Sequence, residues 1–421
     1  MVVYLANDSE AMLIELPAKF GSMGPVTVQL DMNVARILEG IDIATDGTST
    51  HSREGDPLAK RLMRNVAKAV SVRGVRNGLF QKPATARTGE EGTDGPANFP
   101  ARTSPYDLTV SQRFPKLSLP VDNPLTVEGV TLGESLFTEK RLSRDNSQSC
   151  ASCHLQSAAF SDSNRFSAGV TGEMGTRQAM PLFNLAWASD FFWDGRAKSL
   201  REQALEPIQA AHEMNETLER VVAKLESDAV YRAQFEKAFG SPGISADRIG
   251  LAFEQFLLTL VSQNAKFDRA VRKEEEFTEQ EKRGFQLFVM EFDPARGLRG
   301  ADCFHCHGGT LFTNHRYFDN GLDLEPNDSG RMAVTSDPAD RGKFKTPSLR
   351  NVALTAPYMH DGRFKTLDEV VDHYSTGVVQ SANLDPNIAK HPREGIQLTT
   401  EEKAALVAFL RTLTDEAFVL P

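Results

Sequence analysis

The four cysteines constrain this chain more than any other feature, because they occur as two C-x-x-C-H motifs. The motif residues are Cys150, Cys153 and His154 in the first copy and Cys303, Cys306 and His307 in the second. Two thiols three positions apart can bond the two vinyl groups of one porphyrin, and the adjacent histidine can then bind its iron. The motifs therefore predict two covalently bound c-type haems, with His154 and His307 as iron ligands.

Two other uses of paired cysteines fit this pattern less well. A zinc site would need four convergent ligands, and a redox-active C-x-x-C pair has no use for a histidine that follows it in both copies. His305 occupies an interior position of the second motif. We expect it to be a packing or surface residue.

The distance between the motifs indicates how the chain is divided. From Cys150 to Cys303 is 153 positions, about the length of one domain. We therefore predict a mainly α fold with two tandem cytochrome c-like haem domains, preceded by a small mixed α/β N-terminal extension. The predicted divisions are an extension of undefined role at 1–81, a linker at 82–114, an N-terminal haem domain at 115–272 and a C-terminal haem domain at 273–421.

Local patterns in the first hundred residues indicate the extension and the linker. Val26, Val28 and Leu30 alternate with polar residues, as in a half-buried strand, and apolar residues at helical spacing between 58 and 66 indicate a helix. The stretch at 82–105 is dense in Pro, Gly, Thr and charged residues. It has little to bury, which is typical of a linker.

The patterns beyond residue 115 are helical. An apolar stripe within 248–270 predicts one helix. Three S/T-x-x-E capping boxes predict the starts of three more. They are Thr278 with Glu281, Thr366 with Glu369 and Thr399 with Glu402.

Charge and hydropathy exclude two classes of partner. The formal net charge is -10, and a surface of that sign repels phosphate backbones, so we expect no nucleic-acid partner. No apolar run approaches the roughly 18 residues of a bilayer span, so we expect no membrane span. Haem of the c type is normally attached outside the cytoplasm, which predicts a periplasmic location. The opening MVVYLANDSEAML lacks a signal-peptide pattern, so we expect a signal that was removed or a natural start elsewhere.

The ligand on the second face of each iron separates an electron carrier from an enzyme. No histidine lies between His154 and His212, and the methionines in that interval, Met174 and Met180, have no distinctive context. We therefore expect the first iron to keep one open face, where hydrogen peroxide can bind.

Five segments together resemble the bacterial dihaem cytochrome c peroxidase and MauG family. They are LGESLFTEKRLSRDNSQSCASCH, FFWDGRAKSLREQALEPI, CFHCHGGTLFT, TPSLRNVALTAPYMHDGRF and TTEEKAALVAFLRTL. The likeness extends over about residues 115–413 and includes the order of the motifs. It implies a haem peroxidase-type oxidoreductase that binds peroxide in the N-terminal haem domain and transfers electrons through the C-terminal one.

One position distinguishes two branches of this family. Respiratory members carry a methionine on the second iron, in the helix after the Y-x-H-D/S-G motif, whereas MauG-like members carry a tyrosine. This chain has Tyr374 fourteen residues after His360, and it lacks the loop histidine that closes the first iron in respiratory members. The resemblance therefore implies Tyr374 as an iron ligand, with His373 as the neighbouring alternative. A bound tyrosine oxygen donates charge and stabilises oxidised iron.

The resemblance also assigns roles around the first iron. Trp193 matches a tryptophan between the two haems that can pass an electron across the gap. Glu213 matches a distal glutamate that moves a proton between the two oxygens of peroxide, and Gln203 and Pro207 match its pocket neighbours. The sequence leaves open whether His212 assists Glu213.

A calcium ion bridges the two domains in this family. Thr355 and Pro357 match positions whose backbone carbonyls bind it, and Gln178 stands where an asparagine is more usual. Oxygen ligands suit calcium. We therefore expect a Ca2+ site at these three residues, with Gln178 as its less regular ligand.

The resemblance implies an enzyme that forms a high-valent dihaem state with hydrogen peroxide. That state would oxidise a protein side chain, such as Trp, or another donor by long-range electron transfer. Its partners would be hydrogen peroxide and a protein substrate or redox-partner protein. Two alternatives stay open: a peroxide-scavenging dihaem cytochrome c peroxidase and a non-enzymatic dihaem electron-transfer cytochrome.

Overall fold

The chain divides into two compact units, Met1–Thr93 and Asp94–Pro421. The computed structural model describes the backbone of four strands within the first 77 residues, and then residue 100 and residues 103–419. Among the described helices, none combines the length and apolarity needed to cross a membrane.

The described residues of the first unit form two antiparallel strand pairs. These pairs are β1 (Val2–Leu5) with β2 (Met12–Glu15), and β3 (Val26–Met32) with β4 (Val70–Asn77). The strand expected around Val26 is therefore confirmed. The helix expected between 58 and 66 and the linker stretch at 82–99 lie outside the described residues.

The second unit is mainly helical, which confirms the mainly α part of the predicted fold class. Its N-terminal half, residues 103–272, contains α1 (Val127–Phe137), α2 (Cys150–Cys153), α3 (Leu200–Gln209), α4 (Leu218–Glu226), α5 (Ala229–Phe239), α6 (Ala246–Thr259) and α7 (Lys266–Val271). Its C-terminal half, residues 273–419, contains α8 (Glu279–Val289), α9 (Phe304–His307), α10 (Met332–Thr335), α11 (Leu367–Asp372), α12 (Pro386–Ala389), α13 (Thr400–Arg411) and α14 (Glu416–Val419). Two short antiparallel pairs, β5 (Phe292–Asp293) with β6 (Leu298–Arg299) and β7 (Tyr317–Phe318) with β8 (Phe344–Lys345), complete the C-terminal half.

The N-terminal half has a hydrophobic core built on the contact between α1 and α6. A Cβ atom at Gly133 would lie only 2.1 Å from the carbonyl oxygen of Ala252. The two helix backbones can therefore approach this closely only because α1 has a glycine at the crossing point. Helix α3 packs on the same helix α6 and carries the residues that line the pocket described below.

The helix predicted within 248–270 is in fact two helices. Helix α6 ends at Thr259, and α7 begins at Lys266. The backbone between them bonds to Asn184 instead of continuing the helix: the Asn184 N–H donates to the Leu260 carbonyl at 2.8 Å, and its Oδ1 accepts from the Ser262 N–H at 2.9 Å.

The C-terminal half has a second core, built on the contact between α8 and α13. A Cβ atom at Gly284 would lie 1.9 Å from the carbonyl oxygen of Ala405, so a glycine again permits the close crossing. All three predicted capping boxes are present and start α8, α11 and α13.

A buried ion pair joins the two halves. Arg350, in the C-terminal half, is fully buried, and its two terminal nitrogens donate to the two carboxylate oxygens of Asp268 on α7, each at 2.8 Å. The guanidinium also lies over the ring of Phe114, 4.6 Å from its centroid. This pair therefore links the two halves through a buried contact.

Candidate haem sites and peroxide pocket

The first C-x-x-C-H motif forms a short helix with its histidine directed by a backbone carbonyl. Cys150 and Cys153 lie on α2, and His154 caps its C-terminal end. The Nδ1–H of His154 donates to the carbonyl of Phe160 at 2.8 Å, which leaves Nε2 as the atom free to bind iron. Burial lowers the pKa of His154, so the ring is neutral and suited to a metal.

The second motif repeats this arrangement on α9. The Nδ1–H of His307 donates to the carbonyl of Phe312 at 3.2 Å, and burial lowers the pKa of the ring to about 4. Each proximal histidine is therefore neutral and held by its Nδ1, with Nε2 available. This shared geometry suits two haem irons.

The four thiols do not suit the alternative uses of a C-x-x-C pair. All four cysteines are unpaired. Burial raises the pKa of Cys150, Cys303 and Cys306 to about 12, and it also raises that of Cys153. A redox nucleophile acts as a thiolate, which these raised pKa values disfavour, and among the described residues no group spaced to bind a metal ion includes a cysteine.

A cavity of about 990 Å3 adjoins the first motif and is lined by both halves. Its wall includes Cys150, Cys153 and His154. The volume and the position of the two thiols suit one haem, since clefts of about 300–1,000 Å3 hold ligands of this class. The expected pocket residues Glu213, Gln203, Pro207 and Trp193 line the same cavity.

Glu213 lies in the loop after α3, where the cavity holds its carboxyl group in partial burial. Burial raises the pKa of this carboxyl group, and His212 and Arg196 oppose the rise by their charge. His212 Nε2 lies 3.6 Å from Glu213 Oε1, so the two side chains are neighbours. A carboxyl group with a raised pKa therefore lines the cavity beside the first motif. Such a group has the properties that general acid and base chemistry with peroxide requires.

The loop that carries Glu213 is positioned by its backbone. The carbonyl of Glu213 accepts from the Val170 N–H at 2.9 Å, and the Met214 N–H donates to the carbonyl of Pro207 at 3.2 Å. Pro207 therefore acts on the pocket through the backbone of α3 as well as by lining it. Gln203 lies one turn earlier on the same helix.

The two methionines of the 154–212 interval have different surroundings. Met174 is half exposed at the surface. Met180 lines the cavity, and its backbone carbonyl interacts with the ring of His154. The open face of the first iron stays a prediction.

Trp193 is buried and links the two halves. Its indole Nε1–H donates to the carbonyl of Gln178 at 2.8 Å, and its own carbonyl accepts from the Lys345 N–H of β8 at 2.8 Å. The Gln178 N–H in turn donates to the carbonyl of His360 at 2.8 Å. The tryptophan therefore lies in the interface where electrons would have to cross from one half to the other.

Tyr374 and His373 have different surroundings, although they are neighbours in sequence. Helix α11 continues into a π-helical turn, residues His373–Gly377. His373 is buried, and its Nε2 bonds to the backbone carbonyl of Asn320 at 3.0 Å. Tyr374 instead accepts a hydrogen bond from the Asn320 side-chain amide, and its buried phenol interacts electrostatically with Cys303 and Cys306.

The phenol of Tyr374 is held in an environment that keeps it protonated in the absence of a metal. Burial raises its pKa to about 12, while a hydrogen bond from the Asn320 side-chain amide at 3.1 Å opposes the rise. A ferric ion would supply the positive charge that a buried phenolate needs. The residues of this second site therefore fit a haem whose second iron ligand is a tyrosine.

The residues expected to bind calcium are only partly brought together. The Gln178 side-chain amide donates to Ser161 Oγ at 2.8 Å and to the Asp162 carbonyl at 3.1 Å, so its Oε1 is the atom left for a cation. Its bond to His360 places Gln178 near the segment of Thr355 and Pro357. The calcium site stays a prediction.

Two site residues were missed by reasoning from the sequence. His360 served only as a reference position, yet it lines the cavity and stacks on Phe344 with ring centroids 3.6 Å apart. Asn320 forms hydrogen bonds with both residues, through its side-chain amide to Tyr374 and through its backbone carbonyl to His373. A single asparagine in a loop belongs to no spaced sequence motif, so its role in the site can be recognised only from the three-dimensional structure.

Comparisons with known proteins agree with this arrangement. A family model described as "Di-haem cytochrome c peroxidase" matches residues 127–276. The methylamine utilization protein MauG of Methylorubrum extorquens is 40% identical over 337 residues, which is 78% of this chain and 91% of that protein. MauG of Methylophilus methylotrophus is 36% identical over 72% of this chain and 87% of its own length. The crystal structure of a MauG-like protein associated with microbial copper homeostasis superposes with a TM-score of 0.68 at 35% identity, and covers 75% of this chain and 97% of that one.

Proposed function

This chain belongs to the dihaem cytochrome c peroxidase and MauG family, and we propose that it acts as a MauG-like enzyme within it. In this proposal it is periplasmic and uses hydrogen peroxide to oxidise a protein side chain, such as Trp, or another donor by long-range electron transfer. The observation that carries the proposal is the buried phenol of Tyr374, which is hydrogen-bonded by Asn320 and close enough to Cys303 and Cys306 to interact with them electrostatically. When bound, the two haems supply the redox chemistry that takes up the oxidising equivalents of peroxide.

The chain's own residues would bind and orient the reactants. His154 and His307 hold their Nε2 atoms toward the irons through the Nδ1 bonds described above. Tyr374 would give its hydroxyl oxygen to the second iron after losing a proton, and the amide of Asn320 would still donate to that oxygen. Electrons from the protein substrate or other donor would pass through Trp193, whose buried indole lies between the two halves.

Glu213 would move the proton in peroxide cleavage. Its carboxylate takes the proton from the inner oxygen of peroxide and delivers it to the outer oxygen, which leaves as water. A raised pKa helps this exchange, because a more basic carboxylate accepts a proton more readily. Gln203 and Pro207 would shape the pocket around the bound peroxide.

Two further parts of the proposal concern architecture. The two cores, each with a glycine at its helix crossing, support tandem cytochrome c-like haem domains at 115–272 and 273–421. The free Oε1 of Gln178 supports a calcium ion shared with the carbonyls of Thr355 and Pro357.

Adding one equivalent of peroxide to the fully oxidised protein tests the proposed function. We expect both haem absorption bands to change at once and to return when an electron donor is added. A protein that reacts only after half-reduction would instead be a peroxide-scavenging cytochrome c peroxidase.

The resting spectrum distinguishes the enzyme from an electron carrier. An iron with an open face gives a high-spin ferric signal, which we expect from the first haem. Low-spin signals from both haems would mean that protein ligands occupy both faces of each iron, as in an electron-transfer cytochrome.

A further inference from the structure

A cluster of metal-ligand side chains lies beside the second motif, outside the haem sites. Donor atoms of Glu291, Asp302 and His305 all lie within 4.8 Å of one another. His391 adds a second imidazole, since its Nε2 lies 2.7 Å from Asp302 Oδ2. His391 thus borders the group of three through Asp302, and it would complete the group as a fourth ligand by turning toward its centre.

His305 is the least satisfied member of this cluster. Its Nε2 is buried and makes no hydrogen bond, although it lies 3.4 Å from Glu291 Oε1 and 3.6 Å from Asp302 Oδ1. An unpaired buried nitrogen costs free energy. Ligands that lie about 2.0–2.2 Å from a tetrahedral metal ion are about 3.3–3.5 Å from one another, so the observed spacing is close to that of a ligand set.

The cluster is held by rigid parts of the chain. Asp302 directly precedes Cys303, and His305 lies between the two thiols that would bind the haem. Glu291 directly precedes β5, and the N–H of Phe292 donates to Asp302 Oδ1 at 3.1 Å. A cation would thus meet ligands that are already in place, at little cost in conformational entropy.

Lys390 is the cation that now faces the two carboxylates. Its Nζ lies 3.1 Å from Asp302 Oδ2 and 3.8 Å from Glu291 Oε1. The single positive charge of the ammonium balances only one of the two carboxylates, whereas a divalent ion would balance both. The Lys390 side chain is 24% exposed and can withdraw into solvent.

We infer that Glu291, Asp302, His305 and His391 form a binding site for a divalent transition-metal ion, with Zn2+ as its best representative, which displaces Lys390. Two imidazole nitrogens with two carboxylate oxygens favour Zn2+ over Ca2+ and Mg2+, which prefer oxygen ligands alone. The site lies next to the second haem attachment and is separate from the peroxide pocket.

Zinc binding to the protein carrying both haems tests this site. After incubation with Zn2+ and removal of free metal, elemental analysis should find one zinc for every two irons. Calorimetric titration should show at least about 10-fold weaker zinc binding in His391→Ala and in Glu291→Gln, with unchanged iron content. Lys390→Met should bind zinc more tightly, because the competing ammonium is gone.

Lys403→Met is the matched control, because Lys403 pairs with Asp372 on a different surface at 2.7 Å. We expect it to leave zinc affinity unchanged. Absence of bound zinc, wild-type affinity in both ligand variants, or no gain in Lys390→Met would overturn the inference. The cluster would then be an ion-pair network with Lys390 as its permanent cation.

Discussion

At the residue scale, Tyr374 and His373 show how a local change of helical pitch gives two neighbouring side chains different surroundings. A π turn holds one more residue than an α turn, and it often occurs at functional sites. Here His373 bonds to the Asn320 carbonyl, while Tyr374 accepts from the Asn320 side-chain amide and interacts electrostatically with the second motif. From the sequence alone, His373 remained an alternative to Tyr374 as the iron ligand, because helical periodicity assumes a constant pitch.

Replacing Tyr374 by histidine tests the proposed ligand. We expect Tyr374→His to keep both haems attached, since the second motif is unchanged, but to lose the reaction of the fully oxidised protein with peroxide. Neutral imidazole supports oxidised iron less than a phenolate does. Absorption and electron paramagnetic resonance spectra after one equivalent of peroxide measure this loss.

His373→Gln provides the control for that variant. A glutamine amide can still donate to the carbonyl of Asn320, so we expect spectra and peroxide reaction like those of the unaltered protein. The opposite pair of results, with His373→Gln impaired and Tyr374→His unimpaired, would identify His373 as the ligand.

Glu213→Gln should slow the reaction with peroxide by about 10²–10⁴-fold, because an amide cannot accept the proton. The reaction of the unaltered protein should also fall at low pH. Burial raises the pKa of Glu213 above its ordinary range, so the carboxylate is lost at a higher pH than for an exposed glutamate. Stopped-flow rates against pH should show this decline in the unaltered protein and not in the variant.

Glu236→Gln, on the exposed face of α5, is the control for the loss of one carboxylate. Its rate and pH profile should match those of the unaltered protein. A Glu213→Gln protein with an unchanged rate would mean that another group moves the proton, and His212 would be the first candidate.

At the element scale, the close contact of α8 with α13 depends on Gly284. An alanine in an exposed helix position usually stabilises by about 1 kcal/mol relative to glycine. Here the added Cβ would meet the Ala405 carbonyl at 1.9 Å, and we expect Gly284→Ala to lower the free energy of unfolding by about 1–3 kcal/mol. Denaturant titration monitored by circular dichroism measures the change.

Gly175→Ala is the matched substitution, because the nearest atom to its added Cβ would be 3.6 Å away. It should alter the free energy of unfolding by less than about 0.5 kcal/mol. An increase in the free energy of unfolding of Gly284→Ala would contradict this prediction. It would show that α8 and α13 can move apart without loss of stability.

Local chemistry explains which elements the sequence predicts well. The capping boxes at Thr278, Thr366 and Thr399 act within four residues, so their helix starts could be read directly. The break between α6 and α7 depends on Asn184, which is more than 70 positions away along the chain, and apolar periodicity cannot report such a contact.

At the scale of the whole molecule, the motifs predict the chemistry while the interface between the halves sets its geometry. Spacing and resemblance named Trp193 and Glu213 in advance, and both line the cavity beside His154. The ion pair of Arg350 with Asp268 had no sequence signal, because its partners come from different halves. This pair nevertheless joins the two halves through a fully buried guanidinium.

Arg350→Met tests how strongly this pair holds the halves together. The variant leaves the buried Asp268 without a counter-charge, and we expect the free energy of unfolding to fall by about 3–5 kcal/mol. Adding Asp268→Asn should recover part of the loss, since no uncompensated charge then remains. Thermal unfolding of the single and double variants measures the coupling between the two residues.

Arg165→Met is the appropriate control, since Arg165 also bridges the halves, through Asp361 at 3.4 Å, but is 56% exposed. A solvated pair of this kind contributes about 0–1 kcal/mol, so this variant should unfold much like the unaltered protein. Equal effects of Arg165→Met and Arg350→Met, or simple additivity in the double variant, would contradict a special role for the buried pair. The halves would then be held by apolar packing alone, and electron transfer through Trp193 should be insensitive to Arg350→Met.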